Sequence, residues 1–184
     1  LGIRHKLETS QQRKGIKMPN WMNNNLSISG SEADIQAFIH KAAEQPGRNS
    51  GILSFGNFVQ PVASHEDSQA MAWGCKWDAM EVKVLRKGNG YVNYTFVTPW
   101  SAPFPVLKAM SEQFPNLIFS LTSIEEQGWG EELISSQGKL RIVKQWDAPK
   151  SHQEMIEVLG YCSCKDESED IFNDCNFETV ENHV

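Results

Sequence analysis

The stretch Met80-Glu81-Val82-Lys83-Val84-Leu85-Arg86-Lys87-Gly88-Asn89-Gly90-Tyr91-Val92-Asn93-Tyr94-Thr95-Phe96-Val97-Thr98 decides the fold. Its first part sets Met80, Val82 and Val84 on one side of an extended chain, the period-two pattern of a strand with one face on a core. Gly88-Asn89-Gly90 supplies residues that tolerate the positive φ of a tight turn. From Tyr91 the chain returns with Val92, Tyr94 and Phe96 on one face and Tyr91, Asn93 and Thr95 on the other. The pattern predicts an antiparallel hairpin with one buried and one open face.

Working toward the N-terminus, Asn25-Leu26-Ser27-Ile28-Ser29 alternates in the same way and Gly30 stops it. Ser31 is placed as a helix N-cap with Asp34 three residues on. Ile35, Phe38, Ile39, Ala42 and Ala43 follow at helical spacing until Pro46-Gly47. Residues 48–79 lack a period; Phe55, Phe58 and Val59 suggest an extended piece ended by Pro61. Beyond the hairpin, Ser101 to Phe114 reads as a second helix, with Pro103 and Pro105 near its start and Val106, Leu107, Met110 and Phe114 on its inner stripe. Leu117, Phe119 and Leu121 make the next strand, and Leu133 to Val143 a final hairpin around Gln137-Gly138. Strand, helix, strand, strand, helix, strand is the split βαβ order. It predicts an α+β ferredoxin-like two-layer sandwich, with two helices on one face of an antiparallel sheet and a C-terminal hairpin appended.

The 184 residues, 40% hydrophobic and 22% charged, suit one domain with a core and exclude disordered, collagen-like and coiled-coil classes. No apolar run approaches the roughly 18 residues of a membrane span, and no signal-peptide pattern opens the chain. The net charge of −6 is unevenly spread. Residues 1–17 hold Arg4, Lys6, Arg13, Lys14 and Lys17 against Glu8, and read as a basic, disordered extension. Residues 18–148 form the nearly neutral domain. Residues 149–184 are an acidic tail, with nine acids against Lys165 from position 151 onward. Met155, Ile156 and Leu159 make one short helical stripe there, although the density of acids favours a solvated tail.

Four groups of residues bear on function. Lys87-Gly88-Asn89-Gly90-Tyr91-Val92-Asn93-Tyr94 is similar to the central-strand motif of RNA-recognition domains, with Asn89 in place of a base-stacking aromatic. The first strand offers Ser27 where a second platform would stand. Lys83, Lys87 and Tyr91 are therefore the candidates for an RNA- or single-strand-binding face, with most of the stacking energy missing. Cys162, Cys164, Cys175 and His183 include zinc-ligand residue types, but C-x-C is not the usual spacing and no second pair exists; reduced thiols and no metal are expected. Neither His40 nor His65 stands near a nucleophile elbow, an H-E-x-x-H helix or a phosphate-cradling loop, and Glu125-Glu126 would point to opposite faces of a strand. No catalytic residue, cofactor or enzyme activity is expected. Lastly, six tryptophans are many for this length, and Trp73-Gly74-Cys75-Lys76-Trp77-Asp78 and Thr98-Pro99-Trp100-Ser101 concentrate them at element ends. They serve as corner packing or, as Trp73, Lys76, Trp77 and Trp100, as a recognition surface.

The same segments carry a family resemblance. Met18-Pro19-Asn20-Trp21 with Asn24, Leu26, Ile28 and Gly30, then Trp73 to Ala79, Thr98 to Pro103, Phe114-Pro115-Asn116-Leu117 and Glu126-Gln127-Gly128, resemble in order the motifs of the YubB-type ferredoxin-like family. Those are phage- and plasmid-encoded proteins of unknown function, the Api-type proteins among them. Met22 stands where the family has Cys, Cys75 where it has Thr, and the acidic tail lies outside the likeness. The resemblance implies the ferredoxin-like fold, a bacterial cytoplasmic setting and Met18 as the natural start; it supplies no catalytic or binding residues. The resulting expectation is a non-enzymatic accessory protein of a mobile element that binds a host or element-encoded protein. Its acidic tail could imitate nucleic-acid charge in a counter-defence role. A nucleic-acid-binding module on the open sheet face is the alternative, and a small-ligand site between Trp77 and Trp100 a weaker one. No membrane partner is expected.

Overall fold

In the computed structural model, residues 19–44, 51–62 and 68–160 are described. The elements are β1 (Trp21–Ser29), α1 (Glu32–Ala42), a 3-10 turn (Phe55–Asn57), α2 (Ser68–Trp73), β2 (Met80–Gly88), β3 (Tyr91–Pro99), α3 (Phe104–Gln113), β4 (Ile118–Glu125), β5 (Gly130–Ser136), β6 (Lys139–Trp146) and α4 (His152–Leu159). The strands form one six-stranded sheet in the order β2-β3-β1-β4-β5-β6, each antiparallel to its neighbours. The fold is mixed α+β, and its sheet is larger than the four-stranded one expected. The hairpin around Gln137-Gly138 is not an appendage. It continues the sheet beyond β4 and is tied to α3, where Ser111 Oγ and Ser135 Oγ lie 2.7 Å apart and the Gly138 amide donates to Ser111 Oγ at 3.0 Å.

Local chemistry explains the boundaries. Ser31 caps α1, its Oγ accepting from the Asp34 amide at 3.1 Å. In the β2–β3 turn Gly90 has φ of 80°, and a Cβ there would meet the Gly30 carbonyl oxygen at 2.7 Å. That close approach lets the Gly30 amide donate to the Gly90 carbonyl at 3.0 Å, locking the turn to the β1–α1 corner. The second long helix begins at Phe104 rather than Ser101, because Thr98 to Ser101 turn back on themselves first.

Alternation along β1, β3, β4 and β5 sends Leu26, Ile28, Val92, Tyr94, Phe96, Phe119, Leu121 and Leu133 to one face, under Ile35 and Phe38 of α1 and Val106, Leu107 and Met110 of α3. Phe38 is the hub: it stacks on Phe58 at 5.4 Å and meets Phe114, Phe119 and Tyr94 edge-on at 5.3, 5.6 and 6.3 Å. Burial pushes the Tyr94 phenol up to about 12.

Two regions differ from the sequence pattern. Val84 is exposed, not buried with Val82, because β2 pairs with β3 through two register shifts and Glu81 takes φ of 52°. An extra residue in a strand reverses the facing of those after it. The aperiodic stretch contains the 3-10 turn and α2, held by Asp78. Its carboxylate accepts from Ser54 Oγ (2.6 Å), the Phe55 amide (2.7 Å) and the Ala79 amide (2.8 Å). The stripe of Met155, Ile156 and Leu159 is helical as α4, with Met155 buried near Gly128.

Candidate recognition surface

At the end of the sheet where β1 starts and β3 stops, Trp21 lies opposite Pro99. The chain then turns sharply at Trp100, whose φ of 63° is a left-handed conformation rare for a bulky residue. Several bonds hold it there. The Trp100 amide donates to the Asn20 carbonyl at 2.8 Å, Thr98 Oγ1 donates to the Ser101 carbonyl at 2.8 Å, and Ser101 Oγ donates to the Gly74 carbonyl. Gly74, at φ of 80°, lets the 74–77 loop approach this turn, since a Cβ there would sit 2.7 Å from Pro105 Cδ.

The loop seats Trp77 between the other two indoles. Trp77 lies 5.9 Å from Trp21 and 5.9 Å from Trp100 by ring centroids, and Lys76 Nζ stands 5.7 Å above the Trp100 ring. Trp100 is 39% exposed. The result is a run of three indoles at the protein surface with one cation at its rim.

The seven residues singled out from the sequence fall into three places. Lys76, Trp77 and Trp100 join this run. Trp73, grouped with them by sequence, is a core residue: it is buried, meets Phe55 edge-on at 6.0 Å and donates through Nε1 to the Val59 carbonyl at 2.8 Å. Lys83, Lys87 and Tyr91 lie along β2 and β3, with Tyr91 at the far end of β3, about 26 Å away at 3.3 Å per residue. Its ring covers Gly88. Sequence reasoning missed Trp21 as part of the surface, although its place at the strand start beside Asn20 was visible. No slot separates Trp77 from Trp100, so a ligand cannot lie between them as expected; their rings already touch.

The open sheet face is polar. Lys83 lies opposite Thr95, Thr95 opposite Asn25, and Asn25 opposite Thr122, so one row of a cation, two hydroxyls and an amide crosses four strands. It floors a shallow depression of about 380 Å³ that also takes in Asn23 and Glu81. The open-face positions of β1 and β3 between Trp21 and Tyr91 are Asn23, Asn25, Ser27, Asn93, Thr95 and Val97, with no aromatic among them.

Other titratable groups do not assemble a reactive site. Cys75 is buried, donates to the Trp77 carbonyl at 3.3 Å, and its thiol is pushed up to about 12 by burial and then by the Asp78 carboxylate. Cys162, Cys164, Cys175, His183 and His65 lie outside the described residues. Among the described residues no group of three or more His, Cys, Asp or Glu side chains could hold a metal ion. Glu125 is buried, with Oε2 accepting from the Gln127 amide at 2.6 Å, while Glu126 is exposed; the two do face apart. Glu131 is buried beside Trp129 and Trp146, and burial raises its carboxyl, opposed by a 3.2 Å bond from Gln145 Nε2. Among the described residues no helix is long and apolar enough to cross a membrane.

No family model and no curated protein matches the chain. Among solved structures, the fold is similar to that of a protein api92 from Yersinia pseudotuberculosis, of family-model DUF1281, with a TM-score of 0.54. The likeness covers 72% of this chain and 99% of that one at 8% sequence identity, and so speaks for the fold alone.

Proposed function

We propose that this is a non-enzymatic binding protein that engages a protein partner through Trp21, Trp77, Trp100 and Lys76. One observation carries the reading: three indoles in continuous contact reach the surface around a tryptophan held at φ of 63°. Left-handed backbone at a bulky residue costs about 1–3 kcal/mol and persists where the surroundings impose it, commonly at binding sites. Clustered tryptophans are also the side chains most enriched among interface residues that dominate affinity.

The finer reading treats β1-α1-β2-β3-α3-β4 as a ferredoxin-like core, supported by the order β2-β3-β1-β4 within the sheet. It further assigns the chain to the YubB-type family of mobile-element accessory proteins. The family-like segments at Trp21, Trp73 to Ala79 and Thr98 to Pro103 converge on one end of the sheet, which favours this assignment. A basic partner surface is what the acids of residues 149–184 would select, and such a partner suits a counter-defence role.

The test is capture of partners from bacterial lysate by the tagged full chain, with and without nuclease, beside Trp77→Ala and Trp100→Ala. A discrete protein that survives nuclease and falls at least tenfold with either variant supports the reading; capture indifferent to both ends it. The second reading, RNA or single-stranded DNA on the open face, is favoured by the row Lys83, Thr95, Asn25 and Thr122. These groups suit hydrogen bonding to base edges and not stacking, so nuclease-sensitive capture lost in Asn25→Ala and Lys83→Ala would select it.

A further inference from the structure

Strand β6 ends the sheet, and its outer edge faces no other strand. Such an edge is a template for another extended chain unless something blunts it. The opposite edge, β2, is interrupted by two register shifts. The β6 edge has one, and leaves Ile142 and Val143 each 46% exposed. Lys139, Arg141 and Lys144 project from β6, and no acid lies within the strand. Ion pairs among the described residues are Lys41–Glu44 and Lys108–Glu112, so these three cations have no carboxylate partner. An edge with this pattern fits an extended segment of opposite charge that alternates polar and apolar residues.

The chain itself supplies one. Residues 161–184 hold seven acids against Lys165, and Asp174-Cys175-Asn176-Phe177-Glu178 alternates in the required way. The chain leaves the fold at the correct end. After Trp146 it passes Pro149, which packs on Gly128, and α4 ends at Gly160. From Gly160, the span to Asp174 reaches up to about 46 Å at roughly 3.3 Å per residue, well beyond the length of β6.

We infer that residues 174–178 lie antiparallel along the outer edge of β6 in the same chain. The inner edge supplies the register: β5 sets Glu132 opposite Lys144, Leu133 opposite Ile142, Ile134 opposite Arg141, Ser135 opposite Leu140 and Ser136 opposite Lys139. Carried to the outer edge, that register puts Asp174, Asn176 and Glu178 beside Lys144, Arg141 and Lys139. It puts Cys175 and Phe177 beside Ile142 and Leu140. Acids meet cations and apolar groups meet apolar groups, whereas a slip of one residue would exchange the two sets.

The test places a thiol opposite Cys175: Ile142→Cys in the full chain, with Cys162→Ser and Cys164→Ser, under mild oxidation by oxidised glutathione. Peptide mapping should find a disulfide between position 142 and Cys175 within one chain, at ten times or more the yield from Val84→Cys on the β2 edge. In the otherwise unaltered chain, Asp174→Lys with Glu178→Lys should speed amide exchange in β6 at least tenfold at low salt while leaving α1 unchanged. Equal crosslinking from the two edges overturns the inference, as does β6 exchange indifferent to charge reversal. A disulfide found only between two chains also overturns it, in favour of a second copy as the occupant.

Discussion

Two aromatic clusters, around Phe38 and around Trp77, have nearly the same ring spacing and opposite fates. Phe38 is fully buried, with neighbours at 5.3 to 6.3 Å from α3, β3, β4 and the 3-10 region. Trp77 has neighbours at 5.9 Å on either side, yet the run it belongs to ends at a partly exposed Trp100. Ring contact therefore does not distinguish a core from a surface built for contact. What separates them is backbone: the phenylalanines sit on regular elements, while the tryptophans hang on a turn held left-handed by hydrogen bonds.

Truncating the hub should give the largest effect. Phe38→Ala is expected to cost about 3–5 kcal/mol in denaturant unfolding, with partner capture per folded molecule unchanged. If capture fell with stability held by ligand or temperature, the two clusters would not be separable. Trp77→Ala removes a half-buried ring and is expected to cost about 1–2 kcal/mol in the same assay, with capture lost at least tenfold. Trp100 sharpens the contrast further, since glycine accepts φ of 63° without penalty. Trp100→Gly should be about 0.5–1 kcal/mol more stable than Trp100→Ala, though both lose capture; a less stable glycine variant would mean that the turn is not strained.

Two titratable groups test burial directly. Burial raises the Glu131 carboxyl, so folding favours its protonated form. That contribution is fully present below the ordinary carboxylate range and is lost as pH rises through the raised value. Glu131→Gln should therefore raise Tm at neutral pH, and the gain should shrink on acidification; a gain growing toward acid would reverse the assignment. Cys75, with its thiol near 12, should resist iodoacetamide at pH 8 in the folded chain and react only in denaturant, read by peptide mapping.

Much of the scaffold was legible because its signals are local. Ser31 with Asp34, the glycines of the β2–β3 turn and the alternation of β1 and β3 act within a few residues of themselves. The 3-10 turn and α2 were not legible, because Asp78 holds the former from more than twenty residues away and no period records that. The facing of Val84 was lost for a related reason: a single positive φ at Glu81 leaves no mark in composition. Within the surface, Trp73 and Trp77 are four residues apart and look alike in sequence. The left-handed Gly74 between them sends one inward and the other outward, a separation that depends on the backbone path and not on residue type.

The position of β1 has a consequence for how the molecule is made. It is the first strand to be synthesised, yet it lies inside the sheet, with Trp21 paired to Pro99 and Met22 to Glu125. Neither hydrogen-bonded edge of β1 can be satisfied until some eighty to one hundred further residues exist, a high sequence separation of the kind that slows assembly. A nascent chain would hold Met22, Leu26 and Ile28 unshielded throughout that interval, and its yield in a cell would depend on chaperone supply more than on the stability of the finished sheet.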